Sequence, residues 1–129
     1  MLSRRRDQVL RYRALLSDIP GLVLLSEPSW ARSNWQSLCV RLPDGRAHRG
    51  VMQAMLDAGV STRRGIMCAH REPAYAREPW LAGPSGLAQS ERAQDRCILL
   101  PLFYQLSVAE QETVAGALRR ALATVTAAA

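Results

Sequence analysis

The stretch Ser37-Leu38-Cys39-Val40-Arg41-Leu42-Pro43-Asp44-Gly45 alternates in character and then turns. Leu38, Val40 and Leu42 fall on one side and Ser37, Cys39 and Arg41 on the other, the period of a half-buried β-strand, and Pro-Asp-Gly ends it. Past the turn the period changes. Val51, Met52, Met55 and Leu56 share one face of a helix over residues 47–58, and Gly59 stands where a C-terminal cap needs a left-handed residue.

Toward the N-terminus, residues 4–18 carry Val9, Tyr12, Leu16 and Ile19 at helical spacing with arginines between them. Pro20-Gly21 stops this first amphipathic helix. Between it and the strand, residues 22–37 have no clean period and are expected to be mostly loop.

Toward the C-terminus, residues 60–67 have room for a short strand. Residues 68–84, with Pro73, Pro79 and Pro84 among small and polar side chains, are expected to form a long ordered loop, and residues 84–94 a short helix. Cys97-Ile98-Leu99-Leu100 is a continuous apolar run that suits a buried strand ended by Pro101. Ser107-Val108-Ala109-Glu110 is a capping box, and Val114, Leu118, Leu122 and Val125 repeat through the helix it starts. Arg119 and Arg120 fall late in that helix, where positive charge suits the macrodipole. The three alanines at residues 127–129 are expected to fray. This order predicts one α+β domain over residues 1–129, a small mostly antiparallel sheet with helices packed on one face.

Composition agrees with a packed core: 129 residues with 48% hydrophobic and 22% charged side chains. No apolar run approaches the roughly 18 residues of a membrane span, and the arginine-rich N-terminus does not lead into a signal-peptide core, so the expected compartment is the cytoplasm with no membrane partner. Cys39, Cys68 and Cys97 are odd in number and form no CxxC pair, which points to free thiols. With His48 and His70 they match no zinc spacing, and no metal site is expected. The net charge of +6 comes from 17 basic residues that are all arginine. Without lysine, the side chains offer no internal Schiff base and no lysine general base, and no catalytic residue is assigned.

The basic run Arg4-Arg5-Arg6 with Arg11 and Arg13 could hold phosphates, or be a solvated helix face. It lacks aromatic interleaving and any helix-turn-helix or finger spacing, so no nucleic-acid partner is expected. In His70-Arg71-Glu72-Pro73-Ala74-Tyr75 a proline-fixed loop carries an imidazole, a carboxylate and a phenol, groups that suit a polyhydroxylated ligand; a structural histidine and a packed tyrosine fit the same residues.

Taken in order, Val60 to Met67, His70 to Tyr75, Leu87, Ser90-Glu91, Ile98 to Phe103 and the Ser107-to-Glu110 helix start resemble the C-terminal domain of the DegT/DnrJ/StrS sugar aminotransferases. The arginine-rich first helix, Trp35 and the strand–turn–helix of residues 37–59 agree, so the resemblance spans nearly the whole chain. One departure is visible: the family's usual Leu-Pro before the Ser/Thr-Glu pair is Leu87-Ala88 here, which loosens that turn. The resemblance implies the small domain of a fold type I, pyridoxal-phosphate-dependent transaminase that moves an amino group onto a keto-sugar nucleotide. It implies further that the cofactor and its lysine lie on a large domain, absent from these residues or supplied as a separate N-terminal fragment, and that the whole enzyme is a homodimer. No cofactor is then bound by this chain alone. By the same analogy Arg63 faces phosphate or carboxylate while His70 and Tyr75 hydrogen-bond the sugar. A detached domain without activity of its own is the expected state. The alternative is a gene remnant or non-catalytic interaction module, docking through Val9, Tyr12, Leu16, Trp30, Trp35 and Trp80.

Overall fold

The computed structural model of the chain describes residues 2–79, 83–84 and 86–126. Helix α1 (Leu2–Leu16) is followed by β1 (Val23–Leu24), β2 (Leu38–Arg41), α2 (His48–Asp57), β3 (Arg63–Arg64), α3 (Ala88–Arg96), β4 (Cys97–Leu100) and α4 (Val108–Thr124). The strands form one sheet in the order β1-β2-β4-β3, and every neighbouring pair is antiparallel. The architecture is the expected α+β layer. Among the described residues no helix is long and apolar enough to cross a membrane.

The alternation in β2 decides which way the sheet faces. Leu38 and Val40 are fully buried while Cys39 and Arg41 are half-buried, and register sets Val40 opposite Ile98 and Leu38 opposite Leu100. These four join Val9, Tyr12 and Leu16 of α1, Val51 and Met55 of α2, and Val114, Leu118 and Leu122 of α4 in one core. Gly59 has φ +80° and its N–H donates to Leu56 O at 2.8 Å, closing α2 as its sequence predicts. At α4, Ser107 Oγ accepts from Glu110 N at 3.2 Å and the Glu110 carboxylate accepts from Ser107 N at 2.7 Å.

Buried polar groups tie α1 to the C-terminal half. Gln8 Nε2 donates to Phe103 O and Leu106 O at 2.9 and 3.1 Å, and Gln111 Nε2 to Gln8 O at 2.8 Å. Arg11 donates to Gln111 Oε1 at 3.2 Å, and Tyr12 OH to Pro101 O at 3.0 Å. Burial, with a smaller push from the Glu110 charge, raises the Tyr12 phenol well above its ordinary range.

Several boundaries differ from expectation. The first helix ends at Leu16 rather than Asp18: Ile19 N turns back to Leu16 O, and Asp18 leaves the helix to pair with Arg119. A two-residue strand, β1, lies inside the stretch read as loop, since pairing with β2 supplies what a two-residue pattern cannot signal. The strand expected within residues 60–67 shrinks to β3, and the short helix starts at Ala88, later than Pro84. Gly86 adopts φ +65° just ahead of that helix.

The apolar docking set does not survive as a surface. Val9, Tyr12 and Leu16 are 2% exposed or less and belong to the core, because the helix turns its apolar stripe toward the sheet. Trp35 is also buried, whereas Trp30 is 86% exposed. Trp80 and the alanine tail lie outside the described residues. The basic helix is not simply a solvated face either. Arg6 pairs with Glu27 and donates to Ser33 O, Arg13 donates to Leu25 O and lies over the Trp35 ring, and Arg4 lies over Tyr104.

Candidate functional site: the open face of the sheet

Among the described residues α1, α2 and α4 pack on one face of the sheet, and only Ala93 of α3 reaches the cavity on the other. Cys39 stands opposite Leu99, and Leu99 opposite Arg63, so these three side chains share the other face. Over it lies a cavity of about 510 Å³ whose walls include Leu25, Pro28, Trp35, Cys39, Ile66 and Leu99. Ile66 is 89% exposed at its rim. A strand buried on one face alone shows polar residues on the other, but β4 reads Cys97-Ile98-Leu99-Leu100, the composition of a strand covered on both sides.

Trp35 forms one wall from a backbone with φ +48°, an uncommon conformation for a large side chain. Its N–H donates to Ser33 Oγ at 3.0 Å, and the turn delivers the ring beneath Arg13. Gly65 forms the opposite lip: its N–H donates to Cys97 O at 3.2 Å, and a Cβ there would sit 3.3 Å from the Cys97 Cβ. Burial, and then the neighbouring Cys97, push the Cys39 thiol up to about 12, so at neutral pH it is a protonated, apolar element of the floor. All three cysteines are free, with Cys68 and Cys97 buried.

Of the residues singled out by sequence, Arg63 projects from β3 on this face. His70 belongs to a 3₁₀ turn, Ala69–Arg71, and its Nε2 lies 2.9 Å from Glu91 Oε1 of α3. One residue on, Arg71 Nη1 lies 2.9 Å from each Asp95 oxygen, which holds the Arg71 pKa above its ordinary value. Glu91 and Asp95 are one helical turn apart, so α3 pins the loop at adjacent points. Cys68 N adds a bond to Gln94 Oε1. The start of the long loop, residues 68–71, is thus fastened to α3. Tyr75 closes a second 3₁₀ turn, Pro73–Tyr75, and is 53% exposed.

Arg63, His70 and Tyr75 stand on three different segments, and none of them lines the cavity on the open face. The cavity itself was not anticipated by sequence reasoning. Its signal was present in the unbroken apolar run of β4, which reads as a buried strand without saying what lies over each face. Among the described residues no three His, Cys, Asp or Glu side chains are grouped to hold a metal ion.

Comparison with known proteins gives this architecture a family context. A model of the DegT/DnrJ/EryC1/StrS aminotransferase family matches residues 1–119. A dTDP-4-dehydro-2,3,6-trideoxy-D-glucose 4-aminotransferase from Saccharopolyspora spinosa is 34% identical over 123 residues, covering 94% of this chain and 30% of the relative. The crystal structure of the aminotransferase TlmJ from Streptoalloteichus hindustanus superposes with a TM-score of 0.80 at 31% identity, over 95% of this chain and 32% of that one. Helicobacter pylori PseC, an aminotransferase involved in the biosynthesis of pseudoaminic acid, keeps the same fold at 13% identity, with a TM-score of 0.79 over 95% of this chain and 33% of its own. The chain therefore spans about a third of the length of the proteins it matches.

Proposed function

Since the chain belongs to the DegT/DnrJ/EryC1/StrS aminotransferase family, we propose that it is the C-terminal small domain of an aminotransferase acting on keto-sugar nucleotides in amino-sugar biosynthesis. In this reading it covers the active site and positions substrate, and it is not catalytic alone. The observation that carries the reading is the open sheet face. Its apolar floor and exposed rim belong to a surface that another body covers, and the relatives are about three times longer than this chain. The cover we propose is the large cofactor-binding domain, in the same polypeptide or as a separate fragment, within a homodimer.

Pyridoxal phosphate, the family's amino-group carrier, does not fit the residues of this chain alone. All 17 basic side chains are arginine, and the open-face cavity presents no amine; its carboxylate, Glu27, is engaged by Arg6. No chemical step is therefore assigned to these residues. Their role is binding and orientation. Arg63 offers a planar fork for phosphate or carboxylate, and His70, fixed by Glu91, and Tyr75 offer hydrogen bonds to sugar hydroxyls.

The test is reconstitution. The chain joined to, or mixed with, a large domain from the family is expected to transaminate a keto-sugar nucleotide, with Arg63→Ala, His70→Ala and Tyr75→Phe raising KM more than they lower kcat. Transaminase activity from the chain alone would overturn the reading. A second reading, a non-catalytic interaction module, draws on the exposed Ile66 and Trp30. It predicts capture of a partner that carries no cofactor-binding domain.

A further inference from the structure

On the helix side of the sheet, away from the open face, a second groove lies between α2 and β3. Strand alternation separates the two. Arg63 stands opposite Leu99 and projects to the open side, whereas Arg64 stands opposite the fully buried Ile98 and projects toward the helices. Arg49, Met52, Gln53 and Leu56 share one face of α2 by helical spacing, and with Ser61, Thr62 and Arg64 they enclose about 240 Å³.

The charge in this groove is uncompensated. Arg6, Arg71, Arg96 and Arg119 each hold a carboxylate, but among the described residues Arg49 and Arg64 have no acidic partner within salt-bridge distance. Thr62 Oγ1 is buried without a hydrogen-bond partner among the described residues. Gln53 Nε2 donates to Asp57 Oδ1 at 2.8 Å, which leaves its carbonyl and its second N–H for other contacts. His48 feels the same field: its imidazole is held below the ordinary histidine value by burial first, then by Arg64 and Arg49, with Asp95 acting in the opposite direction. That Asp95 is already held by Arg71.

Two guanidinium forks from different elements match the oxygens of a phosphate, and the far end of the groove is apolar, with Leu56 54% exposed beside Met52. We propose that this groove binds a small phosphate monoester, its phosphate held by Arg49 and Arg64 and its organic body resting on Met52 and Leu56. The Ser61 hydroxyl lies at the groove wall as a further donor, and the buried Thr62 hydroxyl gains the acceptor it lacks. The site is independent of the aminotransferase reading, since none of its residues lines the open-face cavity.

Phenyl phosphate is the probe, titrated calorimetrically into the full chain. One-to-one saturable binding, tighter than that of inorganic phosphate, is expected, and Arg49→Gln or Arg64→Gln should each weaken it about tenfold. Arg49 is exposed on α2, so its variant reads binding rather than folding. Arg120→Gln, on the exposed side of α4 and outside the groove, should leave binding unchanged. A bound dianion favours imidazolium, so the His48 titration followed by NMR should move up when the groove is filled. Non-saturable binding, equal weakening by Arg120→Gln, an unmoved His48, or inorganic phosphate binding as tightly as phenyl phosphate overturns the proposal.

Discussion

The two faces of the sheet are built from alternating residues of the same strands, yet one is sealed and the other is not. Ile98 on the helix side has no exposed surface, while its neighbour Leu99 lines an open cavity. On the sealed side apolar packing is combined with a polar network of Gln8, Arg11, Tyr12 and Gln111, in which Gln8 Oε1 alone has no partner among the described residues. On the open side a half-buried thiol and the exposed Ile66 line a cavity, and of its walls Trp35 is met by Arg13 of α1. The difference teaches that the helix side holds the fold together, whereas the open side keeps apolar surface for the covering body proposed above.

Truncation should break this comparison most visibly. Leu118→Ala removes a fully buried side chain between α4 and the rest of the core and should cost about 3 kcal/mol in denaturant unfolding, while Leu99→Ala on the open face should cost less than about 1 kcal/mol. Equal losses would mean that the open face is as structural as the sealed one. Next in size, Gln111→Ala strips the donor from Gln8 O and the acceptor from Arg11 and should cost about 2 kcal/mol, with Tyr12→Phe near 1 kcal/mol by the same measurement. Ser107→Ala, which removes half of the α4 capping box, should cost about 1 kcal/mol.

The smallest effect is electrostatic and lies at the edge of the sealed side. Hydrogen bonds from the Ser107 backbone and hydroxyl hold the Glu110 carboxyl below its ordinary range, and the Arg119 hydrogen bond does the same for Asp18. A lowered folded-state pKa means that each contribution is complete above the ordinary carboxylate range and fades as pH falls through the lowered value. In melting-temperature profiles the wild-type chain should therefore exceed Asp18→Asn slightly at neutral pH and lose that margin in acid. Both groups are solvent-exposed, so the margin should also shrink with added salt.

How far these features were legible depended on how local their causes are. The Leu38-Cys39-Val40-Arg41 alternation, the Gly59 stop and the Ser107–Glu110 cap each rest on residues within one or two turns of each other, and each stands where the sequence placed it. β1 was invisible because a two-residue strand exists only through its pairing with Val40 and Arg41. The loop of residues 68–84 was expected to be ordered, but its fasteners, Glu91 and Asp95, lie on a helix more than twenty residues downstream of His70 and Arg71. Gly50 shows the same limit. Inside a helix it looks like a weak point, yet a Cβ there would meet Val125 Cγ1 at 2.8 Å, so close approach of the chain after α4 explains it.

By itself, then, the sequence determined the elements other than β1, the inward set of side chains, the lack of any lysine and the family resemblance that the comparisons bear out, because periodicity, capping and composition are properties of neighbouring residues. Only the tertiary structure decided that Arg63 and Arg64 serve opposite faces, that Trp35 is a wall rather than a docking surface, and that β4 keeps one face uncovered. Those facts depend on which strand lies beside which and on what fails to cover them, and such contacts between distant segments leave no local period to read.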